Sequence, residues 1–201
     1  TVNGTEYPCY SLNVDLKVPT IPSKENDRIY TNIASNAASG QVKISGTISD
    51  QPSLVNGVPV PDGSSGIKSI VFTSDANDKK VEISLSTDDD AAALAAKGLE
   101  RIPTATDPTL MSWNVDVKTL LPITDGSATI MAKVTDNSGY ETSVPVANIT
   151  VDVTAPIITV NSPVDGDFTT TSIEFTGTAN DGSGAGIDKT EGLTLYYKTA
   201  S

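Results

Sequence analysis

Histidine is absent from the 201 residues of this chain, and cysteine occurs once, as Cys9. The lack of histidine excludes serine and cysteine active sites that use a histidine base, and it excludes histidine-bound zinc. A single cysteine cannot form a disulfide within the chain. A pair of carboxylates acting as acid and base is compatible with this composition, but no catalytic arrangement of side chains stands out. We therefore expect that the chain is not an enzyme.

Basic residues are also scarce, since 13 Lys and Arg face 25 Asp and Glu and give a net charge of −12. A surface of this sign repels phosphate groups, which argues against nucleic-acid binding. No run of about 18 apolar residues is present, so we expect no direct membrane insertion of these residues. The simplest function of the acidic balance is solubility. The alternative is that some carboxylates gather around a cation.

Short apolar runs with alternating polar residues are abundant, and turns rich in Gly, Pro, Ser, Asn and Asp separate them. This pattern is typical of an all-β protein. It predicts six strands, at 42–48, 67–73, 81–85, 113–117, 128–134 and 149–153, and an early edge strand near 28–33. Trp113 lies on the apolar phase of its strand and is predicted to be a core residue.

An internal repeat organises the chain. LNVDLKVP at 12–19 matches ITVDVTAP at 149–156, and the closing prolines, Pro19 and Pro156, lie 137 positions apart. VKISGTISD at 42–50 similarly matches IEFTGTAND at 173–181. The central glycine of each second motif, Gly46 or Gly177, occupies an inward position, which indicates close approach of another backbone or a bulky neighbour.

The repeat divides the chain into three parts. Residues 1–18 are expected to be the C-terminal strands of a preceding module, 19–153 a complete module, and 154–201 the beginning of the next. The complete module has two long loops, at 50–66 and 87–111. The second loop carries the sole helical signal, in which Asp88–Asp90 supply an N-cap and Gly98 a stop. DGSGAGID at 181–188 and DGSSGIKSI at 62–70 are interpreted as a loop repeated for structural reasons.

The segment AKVTDNSGYETSVPVANITVDVTAP, at 132–156, resembles the end of bacterial immunoglobulin-like repeats of very large surface adhesins. Such repeats have an Asp- and Gly-containing turn, here Thr135–Tyr140, followed by a strand that ends in Val-Asp-x-Thr-Ala-Pro. Tyr140 stands where Asn is usual. The resemblance implies tandem immunoglobulin-like β-sandwich modules. Proline in the linker disfavours helix at the preceding residue and stiffens the junction.

The resemblance also implies Ca²⁺ at the module junction. The candidate ligands are Asp136 and Asn137 in the turn, Asp152 before the linker and Asp181 after the repeated strand. Asp15 and Asp50 are the equivalents of Asp152 and Asp181 one module earlier. In the alternative interpretation no cofactor binds, Asp136 to Gly139 form a β-hairpin turn, and Asp152 is an outward residue of an edge strand.

The function implied is a structural or adhesive module of a bacterial cell-surface protein, acting as a semi-rigid extracellular spacer or stalk. Its partners would be neighbouring modules of the same chain, together with a host or cell-surface protein or glycan. Two alternatives stay open. The chain is an accessory β-sandwich module of a secreted carbohydrate-active enzyme, or it is a building block of a surface layer, phage fibre or filament.

Overall fold

The computed structural model describes residues 15, 17–24, 28–52, 54–59, 63–163, 174–182, 185–187 and 193–194. The strands expected within 1–14 therefore lie outside the described residues. The elements in chain order are β1 (Arg28–Thr31), β2 (Lys43–Ile48), β3 (Leu54–Val55), β4 (Val58–Pro59), β5 (Ile67–Ser74), β6 (Lys80–Ser84), α1 (Ala91–Ala96), β7 (Leu99–Arg101), β8 (Met111–Asp116), a 3-10 turn at Lys118–Leu120, β9 (Gly126–Asp136), β10 (Glu141–Val151), β11 (Ile157–Ser162) and β12 (Thr176–Asn180).

Residues 28–151 form two main sheets. The larger has the order β1-β10-β9-β5-β6, and the smaller has the order β2-β8-β7. All of their pairings are antiparallel except that of β1 with β10, in which Arg28 is opposite Asn148. Antiparallel pairing leaves one face of each sheet free for a core while the other meets water. The expected all-β class is confirmed.

One hydrophobic cluster joins the inward faces of both sheets. Ile44, Trp113 and Val115 enter it from the smaller sheet, and Phe72 and Ile130 enter it from the larger one. The rings of Phe72 and Trp113 meet at a centroid distance of 5.2 Å with a tilt of 53°, a geometry that aromatic pairs favour. The two sheets are therefore packed as layers around a common core, and Trp113, 2% exposed, is the core residue that the alternation predicted.

The six strands and the early edge strand predicted from alternation are all present, with shifted ends. The largest shift is in β10, which begins at Glu141 and ends at Val151. Alternation missed its first half because Pro145 interrupts the pattern and a register shift lies between Pro145 and Ala147. A bulge at this point lets a proline occupy a strand without breaking the ladder.

The two long loops contain more structure than expected. Residues 50–66 include the short hairpin of β3 and β4, and residues 87–111 include β7, which pairs with β8. Strands of two or three residues are too short to produce a periodic signal. The helix is confirmed as α1, where the Asp90 carboxylate accepts a hydrogen bond from Ala93 N. Gly98 follows it with φ of +75°. In the described part of the chain no helix is long and apolar enough to cross a membrane.

The chain after Pro156 forms a separate two-stranded sheet of β11 and β12. Ile157 is opposite Asn180 in this ladder. In the preceding sandwich, the isolated bridge between Thr20 and Ser49 joins the corresponding residues of the repeat. In and next to the sheet of β11 and β12, the apolar side chains of Ile158, Val160 and Phe175 are exposed.

Gly46 allows Trp113 to lie flat against β2. A Cβ placed on Gly46 would lie 2.5 Å from Trp113 Cζ2, so the expected close approach of a bulky neighbour is confirmed. We predict that Gly46→Ala lowers the free energy of unfolding by about 1–3 kcal/mol, because the indole must shift out of a packed core. Denaturant unfolding followed by tryptophan fluorescence measures this change.

Gly126→Ala is the matched control for this substitution. The nearest atom to a Cβ at Gly126 is Pro122 Cγ at 3.6 Å, which is an ordinary contact. The control should change stability by no more than about 0.5 kcal/mol. Equal effects of the two substitutions would show that the contact with Trp113 is not the cause.

Candidate functional site

The loop just before β5 is the meeting point of three distant chain segments. Gly66 adopts φ of +81° in this loop, a conformation that favours glycine. The Gly66 N–H donates to Asp50 Oδ2 at 2.7 Å, and the Ser65 N–H donates to Asp15 Oδ2 at 2.8 Å. The turn between β9 and β10 contacts the same loop, since Asn137 N donates to the Gly66 carbonyl at 2.9 Å. These bonds bring Asp15, Asp50 and the β9–β10 turn to one end of the sandwich.

Asp136 is the last residue of β9 and begins that turn. Its Oδ1 accepts a hydrogen bond from Tyr140 N at 2.9 Å, and Gly139 adopts φ of +93°. Asp136 to Gly139 therefore do form the β-hairpin turn that was the alternative interpretation of this motif. The turn and a role in ligand binding are compatible, because Oδ1 alone supports the turn.

Asp15, Asp50 and Asp136 each present a carboxylate oxygen to the same point, and these three atoms lie within 4.8 Å of one another. The side chains are buried, at 9%, 1% and 0% exposure respectively. Two of the oxygens, Asp50 Oδ1 and Asp136 Oδ2, are buried without a hydrogen-bond partner. An unpaired buried polar atom is costly, and an unpaired buried charge more so.

No Lys or Arg in the described residues forms an ion pair with any of the three carboxylates. Burial raises the pKa of Asp50, as do the neighbouring charges of Asp15 and Asp136, although hydrogen bonds from Ser64 and Gly66 oppose that rise. Burial acts in the same direction on Asp15, but hydrogen bonds from Lys17 and Ser65 outweigh it and lower the pKa of that residue. The site is thus a buried concentration of negative charge.

The chemistry of the three side chains limits what they can hold. All offer carboxylate oxygen and none offers nitrogen or sulfur, which suits hard divalent cations such as Ca²⁺ and Mg²⁺. Asp15, Asp50 and Asp136 are the residues of the described chain that could hold such an ion. Of these, Asp136 was a candidate from sequence, whereas Asp15 and Asp50 were noted solely as equivalents of Asp152 and Asp181. The repeat was the signal that could have grouped them with Asp136.

The Asn137 side chain connects the β9–β10 turn to the loop before β5. Its Nδ2 donates to the carbonyls of Ser65 and Gly66, at 2.9 and 3.0 Å. The side chain therefore clamps the turn to the loop before β5. Its contribution to the site is to hold Asp136 and Asp50 on two segments that are fixed to each other.

Asp152 and Asp181 lie at the second junction, apart from the triad, and both are half-buried. Asp152 Oδ1 accepts from Thr154 N and Oδ2 accepts from Ala185 N, while Asp181 Oδ2 accepts from Gly186 N. The same pattern links Asp15 to Lys17 N and Ser65 N, and Asp50 to Gly66 N. Gly186 adopts φ of +86°, as Gly66 adopts +81°. The hydrogen bonds of the repeated loop thus recur at the second junction.

The chain that leaves β10 is held by Asp125. Its carboxylate accepts hydrogen bonds from Val153 N at 2.7 Å and from the Thr154 hydroxyl. These bonds lower the pKa of Asp125, the Thr154 hydroxyl having the larger effect. Asp125 thereby fixes the direction in which the linker leaves the sandwich.

No family model matches this chain, and no curated protein is significantly similar to it. Its chemistry must therefore be argued from the residues themselves.

We predict that Asn137→Asp and Asn137→Ala both lower the free energy of unfolding by about 1 kcal/mol, because each removes the two hydrogen bonds donated by Nδ2. Urea denaturation of the two variants and of the parent measures this. If Asn137 acted instead through its carbonyl oxygen, the aspartate would retain that oxygen and behave like the parent, which would contradict the clamp.

We predict that Asp125→Ala speeds hydrogen exchange of the Val153 amide several-fold, since that amide loses its acceptor. Asp78→Ala, which removes an exposed carboxylate elsewhere, is the control. In the parent, the Asp125 carboxyl should titrate below the usual value of about 3.9, as followed by carboxyl NMR shifts. Because the folded-state pKa of Asp125 is lowered, the stabilisation by its hydrogen bonds is fully present above the unfolded-state pKa and is lost as the pH falls through the folded-state pKa. A midpoint at or above the usual value would contradict it.

Proposed function

We propose that this chain is part of a tandem array of immunoglobulin-like β-sandwich modules and acts as a semi-rigid stalk in a bacterial cell-surface protein. The observation that carries the proposal is the recurrence of one junction. Asp15 and Asp152 accept backbone hydrogen bonds from the residue two positions later and from the loop region between the repeated strand, β2 or β12, and the part of the chain that follows it. A repeated junction is what a chain of similar modules requires.

Strand pairing supports the same interpretation. Thr20 pairs with Ser49 where one sandwich begins, and Ile157 pairs with Asn180 where the next would begin. The exposed apolar side chains of Ile158 and Val160 in β11, and of Phe175 just before β12, correspond to residues that a second sandwich would bury. In this proposal 19–153 is one module, residues up to 18 end the preceding one, and 154–201 begin the following one.

A stalk must resist bending at its junctions, and both junctions show attachments of the chain to the module body. The Pro19 carbonyl accepts a hydrogen bond from Thr142 Oγ1 at 2.5 Å. At the other end, Asp125 holds Val153 and Thr154. Each attachment lies next to a proline that restricts the backbone. These contacts support a spacer whose closest partners are its neighbouring modules. In this proposal the spacer is exposed outside the cell and is not an enzyme.

Immunogold electron microscopy of the source cells, with an antibody raised against residues 19–153, tests this function. We expect gold particles outside the cell envelope at a defined distance from it, because a stiff module holds a fixed place along a stalk. Cells lacking the gene are the control. Label confined to the cytoplasm would refute the stalk. Label on a released enzyme that binds polysaccharide would favour the accessory-module alternative, and label along regular lattices or fibres would favour the assembly alternative.

A further inference from the structure

In the triad of Asp15, Asp50 and Asp136, hydrogen-bond donors compensate only part of the negative charge. These donors approach from the outside, from Lys17, Ser64, Ser65, Gly66 and Tyr140. The oxygens that remain, Asp50 Oδ1 and Asp136 Oδ2, are buried and have no hydrogen-bond partner. Asp50 is 1% exposed and Asp136 is 0% exposed, so water does not solvate these oxygens freely. Three like charges at such short range are costly unless a cation or a proton compensates them.

We propose that Asp15, Asp50 and Asp136 bind one Ca²⁺ ion that joins the segment before the module to the module itself. Two ligands on opposite sides of a Ca²⁺ ion, each at about 2.4 Å, are about 4.8 Å apart. The three carboxylate atoms lie within 4.8 Å of one another, so one ion can contact all three. Asp50 and Asp136 supply the unpartnered oxygens, and Asp15 supplies an oxygen that retains free lone pairs.

The setting favours Ca²⁺ over Mg²⁺. Asp50 follows β2, Asp136 begins the turn between β9 and β10, and Asp15 precedes Pro19, so the ligands belong to three different parts of the chain. Ca²⁺ accepts six to eight oxygens in irregular geometry, whereas Mg²⁺ demands near-ideal octahedral geometry at about 2.0–2.1 Å and gives up its waters reluctantly. Backbone carbonyls and waters would complete the Ca²⁺ shell.

The third ligand, Asp15, connects the site to the segment that precedes the module. Asp50 and Asp136 belong to the module body, but Asp15 precedes Pro19 and reaches the body through the Ser65 N–H. Without a cation, the charges of Asp50 and Asp136 repel Asp15. With the cation bound, the same carboxylate is attracted. Cation binding and attachment of the preceding segment are therefore expected to be linked, each strengthening the other.

This ligand set combines Asp136, a candidate that the resemblance implies, with Asp15 and Asp50, the equivalents of Asp152 and Asp181 one module earlier. Asn137 is a clamp, and Asp152 and Asp181 are half-buried at the other junction. In the part of the chain that the structure describes, no third carboxylate joins Asp152 and Asp181. Burial and the unpartnered oxygens single out the first junction, so the proposal is confined to it.

The direct test is isothermal titration calorimetry of the full 201-residue chain, freed of divalent ions with a chelator that is then removed, against CaCl₂ and separately MgCl₂. We expect one Ca²⁺ per chain and much weaker binding of Mg²⁺. Thermal unfolding of the same protein should shift upward by about 5–10 °C at Ca²⁺ concentrations near 100 times Kd. No binding of Ca²⁺, or equal affinity for the two ions, would overturn the proposal.

Asp136→Asn should affect thermal stability differently in chelator and in Ca²⁺, whereas the loss of a purely structural carboxylate would have the same effect in both. Its amide oxygen can still accept from Tyr140 N, and its nitrogen can donate toward Asp50 Oδ1. In chelator, the variant should therefore melt at or above the temperature of the parent. In Ca²⁺, it should lose the upward shift. Asp78→Asn, with the same change in net charge at an exposed position, should keep the shift. Equal destabilisation of Asp136→Asn in both conditions would show a structural role and refute the site.

Asp15→Asn tests the link to the preceding segment without altering the module body. We expect it to weaken Ca²⁺ binding at least about tenfold, because one charged ligand is lost. In the parent, Ca²⁺ should slow hydrogen exchange of the Lys17 amide, and in the variant this effect should disappear. Ca²⁺ binding that Asp15→Asn leaves unchanged would refute the three-residue site. The site consists of residues of this chain alone, so its failure leaves the stalk function standing, and immunogold results against the stalk leave the site standing.

Discussion

The hydrogen bonds of one loop, Ser64 to Gly66, determine the arrangement at this end of the molecule. The loop donates to Asp15 and Asp50 through its backbone and accepts from Asn137 through its carbonyls. The chain turns at Gly66, whose φ of +81° favours glycine. Residues more than 100 positions apart in the chain thereby meet at a single point. This loop holds the residues after β2, the β9–β10 turn and the segment that contains Asp15.

The residues that stabilise the fold and the residues of the candidate site lie in different parts of the molecule. The core between the two sheets is built of apolar side chains around Phe72 and Trp113. The triad lies at the end of the sheet, where Asp136 closes β9 and the loop residues beyond the ladder can bind side chains with their backbone groups. A module of this design can tolerate a strained or charged site at its end because the sandwich supplies the favourable burial energy.

Much of the fold could be predicted from local pattern. Alternation located the strands β1, β2, β5, β6, β8, β9 and β10, since a half-buried strand repeats every two residues, and an Asp followed by an alanine run located α1. The short strands β3, β4 and β7 were not predicted, because two or three residues are too few to show an alternation. The site was harder to predict. Asp136 and its turn could be recognised, but Asp15 and Asp50 had no local signal that distinguished them from solvated surface residues.

By itself, the sequence determined the all-β class, the repeat of Pro19 at Pro156, the inward place of Trp113 and the need for glycine at position 46, since each follows from neighbours along the chain. Only the tertiary structure decided which carboxylates meet. Strand order and loop path bring Asp15, Asp50 and Asp136 within 4.8 Å and leave Asp152 and Asp181 at another junction. Distance in space between such residues depends on the pairing of whole sheets. For the same reason, burial turned three ordinary aspartates into a concentrated charge.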